Sequence, residues 1–164
     1  MLKAIRKRME DREEGFTLIE LMVVVLIIAI LIAIAIPTFL GARKRAQDRA
    51  AQSNLRNALT AEKTYYTDKQ VYSADVAATG QLKSIEPSLN YVAGTASTTS
   101  TANDVYVTAN VSNGNAWVCL SVKSASNALF MIKDVATGPA GTYYASGTIA
   151  ACTDDAVTGF QSSF

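Results

Sequence analysis

Every side chain from Leu21 to Ile36 is apolar, and the apolar character reaches from Phe16 to Leu40 with Glu20 as the one charge inside it. About 25 residues at 1.5 Å per residue are enough to cross ~30 Å of hydrocarbon. Val and Ile are frequent here, which favours a strand by propensity. A lone strand cannot satisfy its backbone in lipid, however, so the segment is predicted to be a helix. Beyond Gly41, positions Ala51, Leu55, Ala58, Leu59, Glu62, Tyr65 and Tyr66 recur at three- and four-residue steps, one stripe interrupted only by Glu62. Arg43, Lys44, Arg49, Arg56 and Lys63 lie largely off that stripe. The spacing predicts a nearly continuous helix from about Phe16 to Tyr66, apolar all round in its first half and amphipathic in its second. Pro37 removes one backbone bond and is expected to kink or loosen it.

The pattern then changes. Residues 67–103 are rich in Ser, Thr, Ala and Gly and read as a connecting region; within it Ala93 to Ala102 reads as a mobile surface loop that cannot build a core. Tyr65, Tyr66 and Tyr72 near the helix end are expected to pack on a sheet. Val105–Val111 alternates, Asn113-Gly114 is a hairpin signal, and Ala116–Val122 is the return strand. Asn127–Asp134 makes a third strand and Thr142–Gly147 a fourth. Three or four antiparallel strands with one apolar face need a cover, which the stripe from Leu55 to Tyr66 can supply. The expected fold is α+β: a long N-terminal helical stem, membrane-spanning in its first half, on a small antiparallel sheet.

Charge sharpens the reading at the N-terminus. Residues 1–15 carry Lys3, Arg6, Lys7, Arg8 and Arg12 beside Glu10, Asp11, Glu13 and Glu14, and the rest of the chain is neutral. A carboxylate such as Glu20 costs roughly 2.5–3.5 kcal/mol in a bilayer and is a functional candidate by default. The chain has no histidine, which excludes Ser-His-Asp and Cys-His nucleophiles and histidine-based metal sites. No cluster of carboxylates or lysines suggests catalysis or a cofactor. Lys69, Lys83, Lys123 and Lys133 are scattered and give no nucleic-acid signal. Asp154-Asp155 is too few oxygens for a calcium shell, and the sequon Asn110-Val111-Ser112 falls in a predicted strand.

Basic residues before an apolar run also describe a secretory signal. The run here is longer than the 7–15 residues of a signal core. It passes through Pro37 into Gly41-Ala42-Arg43-Lys44-Arg45 without a small-x-small cleavage site. A plain single-pass anchor would have no use for Glu20. The basic residues near the start favour the cytoplasmic side and place everything after Gly41 outside the cytoplasmic membrane. There, Cys119 and Cys152 favour a disulfide over two free thiols. The ring of about 34 residues would be worth about 2–4 kcal/mol.

The stretch Gly15-Phe16-Thr17-Leu18-Ile19-Glu20-Leu21-Met22-Val23-Val24-Val25, continuing through Pro37-Thr38-Phe39, resembles the N-terminus of the type IV pilin and pseudopilin family. Past residue 67 only the architecture is alike. The resemblance implies a prepilin peptidase that cuts between Gly15 and Phe16 and methylates the new Phe16 amine. It implies a helical homopolymer built by pilus assembly machinery, with Phe16, Glu20 and Pro37 serving assembly. A Cys119–Cys152 bridge would match the family's disulfide-bounded C-terminal loop. The chain then divides into a leader (1–15), a membrane and filament-core helix (16–41), an amphipathic helix (42–66), a connection (67–103) and a sheet with the C-terminal region (104–164). The subunit would wait in the cytoplasmic membrane, N-terminus inward, before joining a surface filament for adhesion, twitching motility or DNA uptake. A type II secretion pseudopilin is the alternative within the class, and a lone membrane-tethered binding module the alternative outside it.

Overall fold

The computed structural model describes residues 15–77, 79–110, 116–137, 140–147, 152 and 159–164. The leader up to residue 14, the Asn113-Gly114 turn, Val111-Ser112 of the sequon and Asp154-Asp155 lie outside the described residues. The chain forms two compact units, Met1–Ala42 and Arg43–Phe164.

Helix α1 runs Leu18–Lys69 and includes Pro37. It starts two residues later and ends three later than the stripe suggests. The proline ring deprives the Ala33 carbonyl of its N–H partner, and one residue on, the Thr38 hydroxyl donates to the carbonyls of Ala35 (2.8 Å) and Ile34 (3.2 Å). A hydroxyl satisfied by its own helix is what an apolar surrounding demands. At the far end Gln70 takes a left-handed φ of 58° and returns its N–H to the Tyr66 carbonyl at 2.8 Å, closing the last turn.

In the first unit the helix exposes its apolar side chains on every side, from Phe16 to Leu40. In the second unit it buries Ala51, Leu55, Ala58, Leu59, Ala61 and Glu62. The first four pack with Val105, Val107, Val118, Leu120, Val122, Phe130 and Ile132 of the sheet.

That sheet has five strands in the order β1 (Tyr91–Ala93), β2 (Val105–Asn110), β3 (Trp117–Lys123), β4 (Leu129–Val135) and β5 (Gly141–Ser146). The pairs from β2 to β5 are antiparallel, and one ladder crosses them as Val107, Leu120, Ile132 and Tyr144. β1 pairs parallel to β2, Tyr91 opposite Val105, so the sheet is mixed where a purely antiparallel one is expected. The connecting region is correspondingly richer than its composition suggests, holding both β1 and a short helix α2, Gln81–Ile85.

Parallel neighbours need a crossover of about a dozen residues, and the Ser/Thr-rich run is that crossover. It is not a free loop. The Ala96 N–H donates to Ser121 Oγ at 2.8 Å, Ala96 itself is buried, and Ala102 bridges to Lys123. Ser121 lies on the sheet face opposite α1, so the run covers that face.

The outer face carries a second cluster: Trp117, Cys119, Met131, Val135, Ala145 and Cys152, with Tyr143 and Phe160 packed against it. A strand buried on both faces reads as a continuous apolar run. This explains why β3 is buried at every position from Trp117 to Val122.

The candidate assembly site at the start of the apolar helix

Thr17 precedes the first helical residue and is the N-cap. Its N–H donates to Glu20 Oε2 at 2.9 Å, its hydroxyl donates to the same oxygen at 2.7 Å, and the Glu20 N–H lies 3.3 Å from Thr17 Oγ1. This is a capping box, in which side chains three residues apart satisfy each other's orphan backbone donors. The Thr-x-x-Glu signal is legible in Thr17-Leu18-Ile19-Glu20, although the cost of a charge in lipid draws attention first. The box holds the carboxylate at the positive end of the helix dipole, turned back toward the chain that precedes it. Glu20 sits in a shallow apolar groove with Phe16, Ile19, Val23 and Val24.

Phe16 is 84% exposed. At Gly15 an added Cβ would meet nothing within 4 Å. Neither packing nor backbone conformation therefore asks for glycine at that position. Pro37 lies within α1, seventeen residues beyond Glu20 and outside this group. Cys119 and Cys152 belong to the other unit, where they are disulfide-bonded with Cα atoms 6.0 Å apart and join β3 to the C-terminal segment.

The head has its own polar network. Lys63 Nζ lies 3.1 Å from Asp134 Oδ1, the Tyr72 hydroxyl donates to Asp134 Oδ2 at 2.6 Å, and the Thr142 hydroxyl donates to Oδ1 at 2.5 Å. Helix, post-helix segment, β4 and β5 thus converge on one carboxylate. Burial, reinforced by the Asp134 bond, pushes the Tyr72 phenol above its usual range. Tyr66 stacks beside Tyr72 with ring centroids 4.7 Å apart, while Tyr65 is half-buried.

Two residues differ from their sequence reading. Glu62, the interruption in the stripe, is fully buried, and its Oε2 accepts from the Ser73 N–H at 3.0 Å while Oε1 has no hydrogen-bond partner among the described residues. Desolvation pushes its carboxyl up to about 8, against the lowering effect of the Ser73 bond. Lys133 reads as one of several scattered cations but is buried on the outer face, its Nζ 4.9 Å from the Trp117 ring centroid and 5.9 Å from that of Phe160. Neither burial is visible from spacing alone.

An apolar helix open on all sides, with a single carboxylate held at its start and a disulfide-bonded α+β unit after it, defines an anchored subunit whose helix is to be covered by lipid or by other helices. The prokaryotic N-terminal methylation motif matches residues 11–36. The type IV wide pilus major component PilA4 of Thermus thermophilus is 39% identical over 106 residues, covering 63% of this chain and 78% of that protein. The type IV major pilin protein PilA of Myxococcus xanthus is 48% identical over 66 residues, 40% of this chain and 30% of that one. The fimbrial protein EcpC of Eikenella corrodens is 40% identical over 80 residues, 49% and 48% of the two chains. The chain thus spans under a third of the Myxococcus relative and about half of the Eikenella one. No solved structure matches. The chain belongs to the type IV pilin family.

Proposed function

We propose that the chain is the structural subunit of a type IV pilus, cut by a prepilin peptidase between Gly15 and Phe16, methylated on the new Phe16 amine and polymerised through α1. The observation that carries this reading is the apolar surface from Phe16 to Leu40, exposed on every side around one carboxylate. Before assembly the bilayer covers that surface, with the basic leader in the cytoplasm. Extraction by pilus assembly machinery transfers it to the helices of other copies.

Glu20 supplies the register. Cleavage creates a cationic amine on Phe16, next to the amide that Glu20 already accepts from. Where one subunit's Glu20 meets the Phe16 amine of a neighbouring chain, the pair gains little net stability in apolar surroundings, but a subunit shifted along the axis leaves both unpaired, which is costly. Such a pair fixes stagger, much as a buried polar residue fixes coiled-coil register. Pro37 marks where the helix lacks a backbone bond and adjusts to its neighbours.

Electron microscopy of material sheared from the cell surface, with mass spectrometry of the subunit, tests the proposal. Filaments built from a chain beginning at N-methylated Phe16 are expected. An uncleaved, monomeric, membrane-held chain would overturn it.

A further inference from the structure

Apart from Lys69, exposed at the last turn of α1, the cations of the second unit fall into two groups. Lys63 pairs with Asp134, Lys83 donates to the Leu89 carbonyl and Lys123 to the Thr98 carbonyl, Arg56 lies over the Phe164 ring, and Lys133 is enclosed by aromatic rings. Arg43, Lys44, Arg45 and Arg49 are exposed, and among the described residues none of them takes part in an ion pair or a ring contact. The one acid among them, Asp48, forms no ion pair with them among the described residues: its Oδ1 accepts the Ser126 hydroxyl at 2.5 Å, and the stretch holds four cations to one acid. Four unpartnered charges of one sign thus occupy seven consecutive positions.

Their placement points to what they meet. The apolar surface ends at Leu40, and Arg43 to Arg45 follow three to five residues later in the same helix. At 1.5 Å per residue this is about 5–8 Å past the hydrocarbon edge, the depth of lipid headgroups. At about 100° per residue, Arg43, Lys44 and Arg45 surround the helix instead of forming a stripe on one face. A groove in a protein partner or a nucleic-acid backbone meets one face, whereas a headgroup layer meets all of them. Cations on the outer side also work against insertion with the N-terminus inward, an expense that an anionic partner on that side offsets.

We infer that Arg43, Lys44, Arg45 and Arg49 form a collar that binds anionic lipid headgroups at the outer surface of the membrane while the subunit awaits assembly. The inference rests on the membrane stage of the proposed function. The collar would hold the subunit at a set depth and add to the work of extraction, and lipid charge would thereby tune how readily subunits enter a filament.

The test uses the full chain in mild detergent with equimolar phosphatidylglycerol and phosphatidylcholine, the retained lipids being counted by native mass spectrometry. Each cation near an anionic surface is worth about fivefold, so phosphatidylglycerol should exceed phosphatidylcholine by about fivefold or more. In the R43Q/K44Q/R45Q/R49Q variant the ratio should fall to about one. Flotation of both proteins with phosphatidylcholine vesicles reports the membrane span separately, and both should float. Floating chains that retain the two lipids equally, or a variant that keeps its preference, overturn the collar alone. Failure of both to float overturns the span and the collar together. Loss of duplex-DNA binding in the variant, without any lipid preference in the parent, assigns the charges to nucleic acid and also overturns it.

Discussion

Glu20 Oε2 accepts from both the backbone and the hydroxyl of Thr17, so the one carboxylate of the apolar segment already has a local partner. The cap and the register role can be separated. Glu20→Ala removes both, and is expected to leave cleavage intact while abolishing filaments. Thr17→Ala weakens the cap by about 1 kcal/mol but keeps the carboxylate, and filaments should still form. Immunoblots for processing and electron microscopy for filaments read the two outcomes. Equal failure of both variants would show that the cap, and not the charge, is what assembly needs.

Gly15 has open space around it and an unstrained backbone. Gly15→Val is therefore expected to leave thermal stability unchanged while blocking removal of the leader, because a side chain keeps the peptidase from the scissile bond. Intact-mass measurement of membrane fractions checks this. Normal cleavage of the valine variant would remove the reason for glycine at that position.

Glu62 makes the stability of the head depend on pH. Its folded carboxyl is pushed up to about 8 from an ordinary 4.5, chiefly by desolvation. Between those values the folded chain keeps a proton that the unfolded chain has lost, so stability falls as pH rises from about 4.5 to 8 and levels off above. Glu62→Gln cannot ionise and should flatten this slope. Melting temperatures of the full chain in detergent between pH 5 and 9 are the measurement. Parallel curves for the two proteins would mean that Glu62 is ionised in the fold.

The Cys119–Cys152 bridge fixes Cys152 in the cluster on the outer face of the sheet, beside Phe160. Replacing both with serine should cost about 2–4 kcal/mol, read as a lowered denaturation midpoint that reductant does not lower further. Trp117 belongs to the same cluster, and its fluorescence should shift to longer wavelength in the variant or on reduction. An unchanged midpoint would show that packing by Phe160 and Met131 suffices to hold the cluster.

The parts of the fold that sequence reading recovers are those with long, repetitive signals. The apolar run, the stripe from Ala51 to Tyr66 and the strands around Trp117 and Phe130 all extend over enough residues for periodicity to speak. β1 has three residues and leaves no period to detect. The crossover that follows it is held where the Ala96 N–H meets Ser121 Oγ, a contact between two unremarkable small residues 25 positions apart. The same limit applies to single burials. Glu62 breaks the stripe in composition but not in geometry, and Lys133 alternates correctly for a strand whose outer face composition alone presents as wet. At the assembly site, Gly15, Phe16 and Glu20 are legible from their motif; the Thr17 cap is written there too, as Thr-x-x-Glu, but the cost of a charge in lipid draws attention away from it.

The edges of the sheet carry a consequence of their own. Tyr144 and Gln161 exchange both backbone bonds, at 2.8 and 2.7 Å, along the free side of β5, and the opposite margin offers only the three residues of β1. Long naked margins invite sideways zippering of identical chains. In the proposed fibre, the Gln161 bridge at Tyr144 and the shortness of β1 limit the template these domains would offer one another, which would leave growth to the oily helices.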